Sequence, residues 1–218
     1  MSLLPFVEAV AALRFENCFN PYADRCQAHD HPDAPSRRAL ALSAILERAL
    51  MVQIDAIWIG RDLGYRGGRR TGLALTDDVH IARHSRRWDI VIERPTVGSA
   101  VKERTAAIIW NVLDQIDLPI FLWNVFPLHP HEAGNEFTNR QHNARERRAG
   151  EELLQTLIRL LNPKRVIAVG NDAATAAERV CDRTPILCVR HPSYGGQTQF
   201  LKQISDLYEL EAHSPKLL

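Results

Sequence analysis

Apolar residues along this chain recur in two rhythms, one helical and one of short continuous runs, and their order implies an architecture. Behind Ser36, a good helix N-cap, Leu40, Ile45, Leu46, Ala49 and Leu50 return at helical spacing, which predicts a helix over Arg37 to Gln53. Ile54 to Gly60 is a short apolar run closed by glycine, the signature of a buried strand, and a Gly-rich loop reaches on to Gly72. Gly98 to Asp117 reads as helix and Pro119 to Asn124 as a second buried strand. His142 to Leu161 carries Leu153, Leu154, Leu157, Ile158 and Leu161 on one stripe and reads as helix until Asn162-Pro163 stops it. Arg165 to Gly170 is a third strand, Asp172 to Cys181 an alanine-rich helix, Pro185 to Arg190 a fourth strand, and Gln197 to Leu210 a last helix.

This β-α-β alternation predicts an α/β fold: a central four-stranded, mainly parallel sheet flanked by helices, in a single domain. Strand order does not follow from it. Asn17 to Pro35, polar and broken by Pro21, Pro32 and Pro35, reads as a long loop. Residues 1–53 therefore form a helical and loop extension packed on the domain, and residues 211–218 a frayed tail.

Composition changes this picture little. At 218 residues, one core of ordinary size is the economical reading. No apolar run approaches the ~20 residues that a membrane-spanning helix needs. Met1 to Arg14 lacks the basic start and cleavage site of a secretory signal, so the cytoplasm is the expected compartment. Cys18, Cys26, Cys181 and Cys188 show no Cys-x-x-Cys spacing, which argues for reduced thiols. Cys18, Cys26, His29 and His31 are irregularly spaced for zinc, and no metal site is expected. For His129 and His131, beside Pro130, the expectation is phosphate contact or solvent exposure. A net charge of +1 does not diagnose a nucleic-acid partner. The arginine clusters Arg66, Arg69, Arg70, Arg83, Arg86, Arg87 and Arg140, Arg145, Arg147, Arg148 read, by themselves, as solvated faces.

Three strings matter more. Gly60-Arg61-Asp62-Leu63-Gly64-Tyr65, Leu122-Trp123-Asn124-Val125 and His191-Pro192-Ser193-Tyr194-Gly195-Gly196 each follow an expected strand. Strand ends of a parallel sheet gather at one edge, so Asp62, Asn124 and His191 can share a pocket. The first loop lacks the Gly-Lys-Ser/Thr of a Walker loop.

The segment from Gly60 to Thr76 resembles the water-activating motif of the uracil-DNA glycosylase superfamily. In its best-known branch that motif opens Gly-Gln-Asp-Pro-Tyr-His and reaches Gly-Leu-x-Phe-Ser twelve positions after its first glycine, as Gly60 reaches Gly72 here. Asp62 falls on the catalytic aspartate. Leu122 to Val125 is similar to the strand end whose asparagine reads the flipped base, and the run through Pro130 is closer to the thermophilic iron-sulfur branch. His191-Pro192-Ser193 is similar to the C-terminal His-Pro-Ser loop, and Val166 to Ala173 to the apolar strand ending in Gly-x-x-Ala. The resemblance covers about Ile54 to Lys202. The cysteines do not fit the iron-sulfur branch, and no cofactor is expected. Gly64 stands where the best-known branch has a tyrosine that excludes the 5-methyl of thymine. Leu75 stands where a phenylalanine stacks on uracil. Gly195 replaces the leucine that wedges into the duplex, leaving Tyr194 or Gln197 for that place. The chain thus resembles a divergent member of the superfamily.

The resemblance implies a monofunctional DNA glycosylase that hydrolyses uracil from single- or double-stranded DNA as a monomer, leaving an abasic site and free uracil. No lysine nucleophile occurs in the matched motifs. It casts Asp62 as water activator and His191 as donor to the uracil oxyanion. Asn124 reads the base, with Gly60, Arg61, Gly64, Tyr65 and Leu75 around it. Arg66, Arg69, Arg70, Ser193, Tyr194, Gly195, Gly196 and Gln197 become candidate DNA contacts. Asn124 offers an acceptor and a donor on one planar amide, matching uracil and opposing cytosine. The alternatives are the same fold acting on hypoxanthine, xanthine or thymine, a non-catalytic binder of damaged DNA, and a generic α/β nucleotide-binding enzyme.

Overall fold

The computed structural model describes residues 4–210. The tail expected over 211–218 lies outside the described residues. In chain order the elements are α1 (Pro5–Ala12), β1 (Cys18–Phe19), α2 (Ala34–Leu50), β2 (Ala56–Asp62), α3 (Gly68–Thr71), α4 (Ile81–Trp88), α5 (Arg104–Leu113), β3 (Ile120–Phe126), β4 (His129–Pro130), α6 (Ala144–Leu161), β5 (Arg165–Val169), α7 (Asn171–Val180), β6 (Ile186–Val189) and α8 (Gln197–Tyr208).

The four expected strands form one sheet in the order β3-β2-β5-β6, and every pair is parallel. Such a sheet needs cover on both faces, which is why its strands are apolar without alternation. Successive side chains nevertheless part to opposite sides. Ile57, Ile59, Phe121, Trp123, Val125, Val166 and Ala168 join a core with α1, α2, α6 and α7. Ala56, Trp58, Ile120, Leu122, Ile167 and Val169 join a second core with α5 and α8. The result is a three-layer α/β/α stack in which every residue of β3 is buried. Gly150 lets α6 approach that strand, since a Cβ there would collide with the Val125 carbonyl.

Several boundaries move for local reasons. The first expected helix begins at Ala34 because Pro35 suits the first turn, and Asp33, not Ser36, stands at the N-cap position. The helix expected over Gly98 to Asp117 shortens to α5, whose N-cap, Glu103, has extended backbone. Helices α1 and α4 were not anticipated. The long loop from Asn17 to Pro35 is pinned rather than free: β1 pairs antiparallel with β4, Asp30 forms a fully buried ion pair with Arg38, and the Tyr22 hydroxyl donates to the Gly72 carbonyl at 2.5 Å. Among the described residues, no helix is long and apolar enough to cross a membrane.

Candidate active site

Parallel register brings the first two strand ends level. Gly60 of β2 lies opposite Asn124 of β3, and Asp62 opposite Phe126. The missing side chain at Gly60 makes room for the Asn124 amide: a Cβ there would stand 2.6 Å from Asn124 Oδ1 and 3.1 Å from Leu75 Cδ2. Asn124 is 1% exposed, and its Oδ1 is buried without a hydrogen-bond partner among the described residues. An unpaired buried acceptor costs ~1–3 kcal/mol, so this oxygen marks a place where a ligand donor belongs. Leu75 holds a left-handed backbone (φ +53°), a conformation that costs a non-glycine residue ~1–2 kcal/mol.

Asp62 ends β2 with its carboxylate clamped. Arg61 Nε donates to Oδ2 at 2.7 Å while Arg61 Nη1 reaches Asp172 at 3.0 Å, in the first turn of α7. His142 Nδ1 bonds to Oδ1. His142 is fixed in turn by the start of α6, where Asn143 and Glu146 form a reciprocal capping box and Arg140 donates to both Glu146 oxygens at 2.8 and 2.7 Å. A carboxylate has about four lone-pair sites, so two such bonds still leave room for a water.

His191 arrives from the far edge, just beyond β6. Gly170, with φ +98° at the end of β5, lets it lie close: a Cβ on that glycine would be 3.3 Å from His191 Cβ. The Ser193 N–H donates to His191 Nδ1 at 3.1 Å, so in the neutral ring Nε2 carries the proton. Burial, and then the charges of Arg61 and Arg190, hold the His191 pKa below its ordinary value. The group is therefore a neutral imidazole at pH 7 with one N–H to offer.

These residues line a cleft of about 480 Å³ that also includes Gly64, Leu75, Glu103, Asn139, Arg140, Asp172, Ser193 and Tyr194. Its place at the carboxyl ends of the strands is where ligands bind in open α/β sheets. A larger cleft of about 820 Å³, lined by Arg48, Arg83, Arg86, Arg87 and Pro119, opens at the start of β3 and holds none of the three strand-end residues. Among the described residues, no group of three or more His, Cys, Asp or Glu side chains is placed to hold a metal ion. Cys18 bonds to Glu146 and Cys26 to His29, so the N-terminal thiols face different partners.

Other expected site residues separate into two groups. Gly60, Arg61, Gly64, Leu75, Ser193 and Tyr194 line the cleft. Tyr194 is 99% exposed on a left-handed backbone, beside the exposed Gly195. Gly196 and Gln197 begin α8 behind that tip, where Gln197 faces Arg104. Tyr65 does not line the cleft, and its ring carries the exposed Arg66 guanidinium at 5.5 Å. Arg69 and Arg70 are not DNA contacts but interior cations. Arg69 stacks 3.9 Å over Phe19 and pairs with Glu136, while Arg70 pairs with Asp78. His129 is fully buried between Arg69 and the Thr138 carbonyl, not solvent-exposed.

Two residues of the site were missed: Glu103, which lines the cleft, and His142, which holds the Asp62 carboxylate from outside the lining. Both come from outside the strand-end motifs, and the available signal was indirect. Glycines at Gly64 and Gly67 leave space that the Glu103 carboxyl fills.

The sequence from residue 52 to residue 209 matches the family model described as the uracil DNA glycosylase superfamily. The chain belongs to that superfamily. It is a DNA glycosylase by that membership, a hydrolase of DNA repair whose partner is DNA. Among solved structures it is similar to wild-type SMUG2 of Pedobacter heparinus, at 15% identity and a TM-score of 0.61, over 95% of this chain and 99% of that one. At that identity the likeness speaks for the fold alone. No curated protein matches the sequence.

Proposed function

We propose that this glycosylase removes uracil from DNA by hydrolysis, as a monofunctional enzyme. The observation that carries the proposal is the buried, unpartnered Asn124 Oδ1 in a cleft shared with Asp62 and His191. That oxygen suits the ring N–H of uracil, and the amide nitrogen suits the adjacent carbonyl. Cytosine presents an acceptor in place of that N–H, and would leave Oδ1 unpaired at a cost of ~1–3 kcal/mol.

The chemistry divides between two strand ends, those of β2 and β6. Asp62, held by Arg61 and His142, positions water against the sugar and accepts its proton. The N-glycosidic bond breaks, uracil departs as an anion, and the water oxygen bonds to the anomeric carbon. His191 offers its Nε2–H to the developing oxyanion on the base, a contribution worth ~10²–10³ in rate for a well-placed donor. The base must leave its stack first, at a cost of a few kcal/mol that is smaller in single strands and mismatches. Tyr194, exposed at the cleft margin, is suited to fill the vacated stack, and Arg66 to contact a phosphate.

The test is incubation with uracil oligonucleotides, single-stranded and opposite G or A, followed by alkaline cleavage of abasic sites. Uracil release that Asp62→Ala abolishes is expected. Activity surviving that change would refute the assigned chemistry, and retention of the oligonucleotide without release would favour a non-catalytic binder.

A further inference from the structure

Glu103 is the one carboxyl in the cleft wall besides Asp62 and Asp172, and the chemistry above leaves it unused. It stands at the N-cap position of α5, and its backbone N–H donates to Asp77 Oδ2 at 2.6 Å. Its side chain crosses to the loop after β2. One carboxyl oxygen lies 3.0 Å from where a Cβ on Gly64 would be, and the other overlaps the space of a Cβ on Gly67. Two glycines thus form a seat for this carboxyl, and a side chain at either would dislodge it. Among the described residues, nothing hydrogen-bonds to the seated oxygens.

We propose that Glu103 is a second base-reading residue, whose carboxyl donates a hydrogen bond to a carbonyl oxygen of the flipped base while Asn124 holds the neighbouring N–H. The inference rests on the uracil-removal reading. It makes the preferred substrate a base with a carbonyl beside a ring N–H, the group that deamination creates.

The electrostatics of the seat agree with a donor. Burial, and then the nearby Asp77 carboxylate, push the Glu103 carboxyl up to about 7, against the opposing pull of Arg66. Asp77 faces it from the turn before α4 and Arg66 from the loop after β2. Lys102 and Arg104 flank it in sequence, exposed to solvent, and Arg61, Asp62 and His191 stand across the cleft. An ionised carboxylate there would face the base carbonyl with like partial charge.

The experiment is single-turnover uracil release from a single-stranded oligonucleotide between pH 6 and 8.5, for wild type, Glu103→Gln and Glu103→Ala, with melting temperatures as a check on folding. Wild type should slow by about tenfold or more across that range as the carboxyl ionises. Glu103→Gln keeps a donor of the same shape at every pH, so its profile should flatten and its rate exceed wild type at pH 8.5. Glu103→Ala should be slow and flat. An alkaline decline in Glu103→Gln equal to that of wild type, or wild-type speed in Glu103→Ala at pH 6, would overturn the role of Glu103 and leave the glycosylase reading standing. A wild-type protein that releases no base at any pH would overturn both.

Discussion

A single methyl group can test the base-reading site without touching a polar residue. Gly60 has an ordinary negative φ, so Gly60→Ala is tolerated by the backbone and stiffens the unfolded chain, an effect worth ~0.4–1 kcal/mol in favour of folding. The new Cβ, however, would stand 2.6 Å from Asn124 Oδ1, where ordinary contact begins at 3.4 Å. The Asn124 amide must retreat by the difference, about 0.8 Å, and Leu75 Cδ2, at 3.1 Å, blocks part of the escape. Misplacing a reacting or reading group by about 1 Å costs up to ~10²-fold. Losing one of two hydrogen bonds to the base costs ~1–3 kcal/mol, or roughly 5- to 150-fold. The expected result is a loss of about 10- to 100-fold in kcat/KM for uracil release, with a melting temperature within a few degrees of wild type. Because the methyl acts through Asn124, the double variant with Asn124→Ala should be no slower than Asn124→Ala alone. Full activity in folded Gly60→Ala, or losses that simply add in the double variant, would refute the placement of the base against this amide.

Further outcomes follow from the same geometry. Arg69→Ala should destabilise the fold by about 3 kcal/mol, since it strips a fully buried cation from Phe19 and Glu136, yet leave the salt dependence of DNA binding unchanged; Arg66→Ala should lower that slope by about one with little effect on melting. Tyr194→Ala should slow release from duplex substrates by about tenfold and from single strands hardly at all, and equal losses on both would count against a wedge. Acid should weaken the fold: burial lowers His84 and His129 to about 3 and His29 to about 4, so between those values and 6.5 the unfolded chain binds more protons than the folded one. Stability conferred by these neutral rings is complete above pH 6.5 and is lost as pH falls, by about 3 kcal/mol each for His84 and His129 at pH 4 and by less for the more exposed His29, while Glu103, raised to about 7, works in the opposite sense and offsets only part of it. A melting temperature flat from pH 7 to 4 would contradict this.

How far the site was legible depends on where each residue lies relative to the sheet. Asp62, Asn124 and His191 end apolar runs that must be strands, and parallel strands must end together, so their convergence followed from local patterns. Strand order did not, because it depends on which helix packs on which face, and the faces emerge only when Ile57 and Trp58 are seen to enter different cores. Arg69 and Arg70 were misread for a related reason. Charge is visible in a sequence, but burial is not, and the partners that take these cations inside, Phe19, Glu136 and Asp78, come from three other segments.

His142 and Glu103 show what such a reading loses and where a trace of it remains. His142 sits 80 positions from the carboxylate it holds, in a loop whose geometry is set by the Asn143 capping box and the Arg140–Glu146 pair. Asn143-x-x-Glu146 is a recognisable helix start, but nothing in it points to Asp62. Glu103 leaves a clearer mark, because its carboxyl fills space that glycines open in another loop: Gly64 lacks the positive φ that would otherwise account for it, whereas Gly67, at φ −113° and ψ −101°, also has a backbone outside the ordinary α and β regions. A glycine without a positive φ, as at Gly64, calls for another physical reason, and here the reason is a side chain arriving from elsewhere. The same logic at Gly60 identifies Asn124 as the arriving group. Three glycines, Gly60 near the end of β2 and Gly64 and Gly67 in the loop after it, therefore record, as empty space, the polar side chains that reach them from other segments.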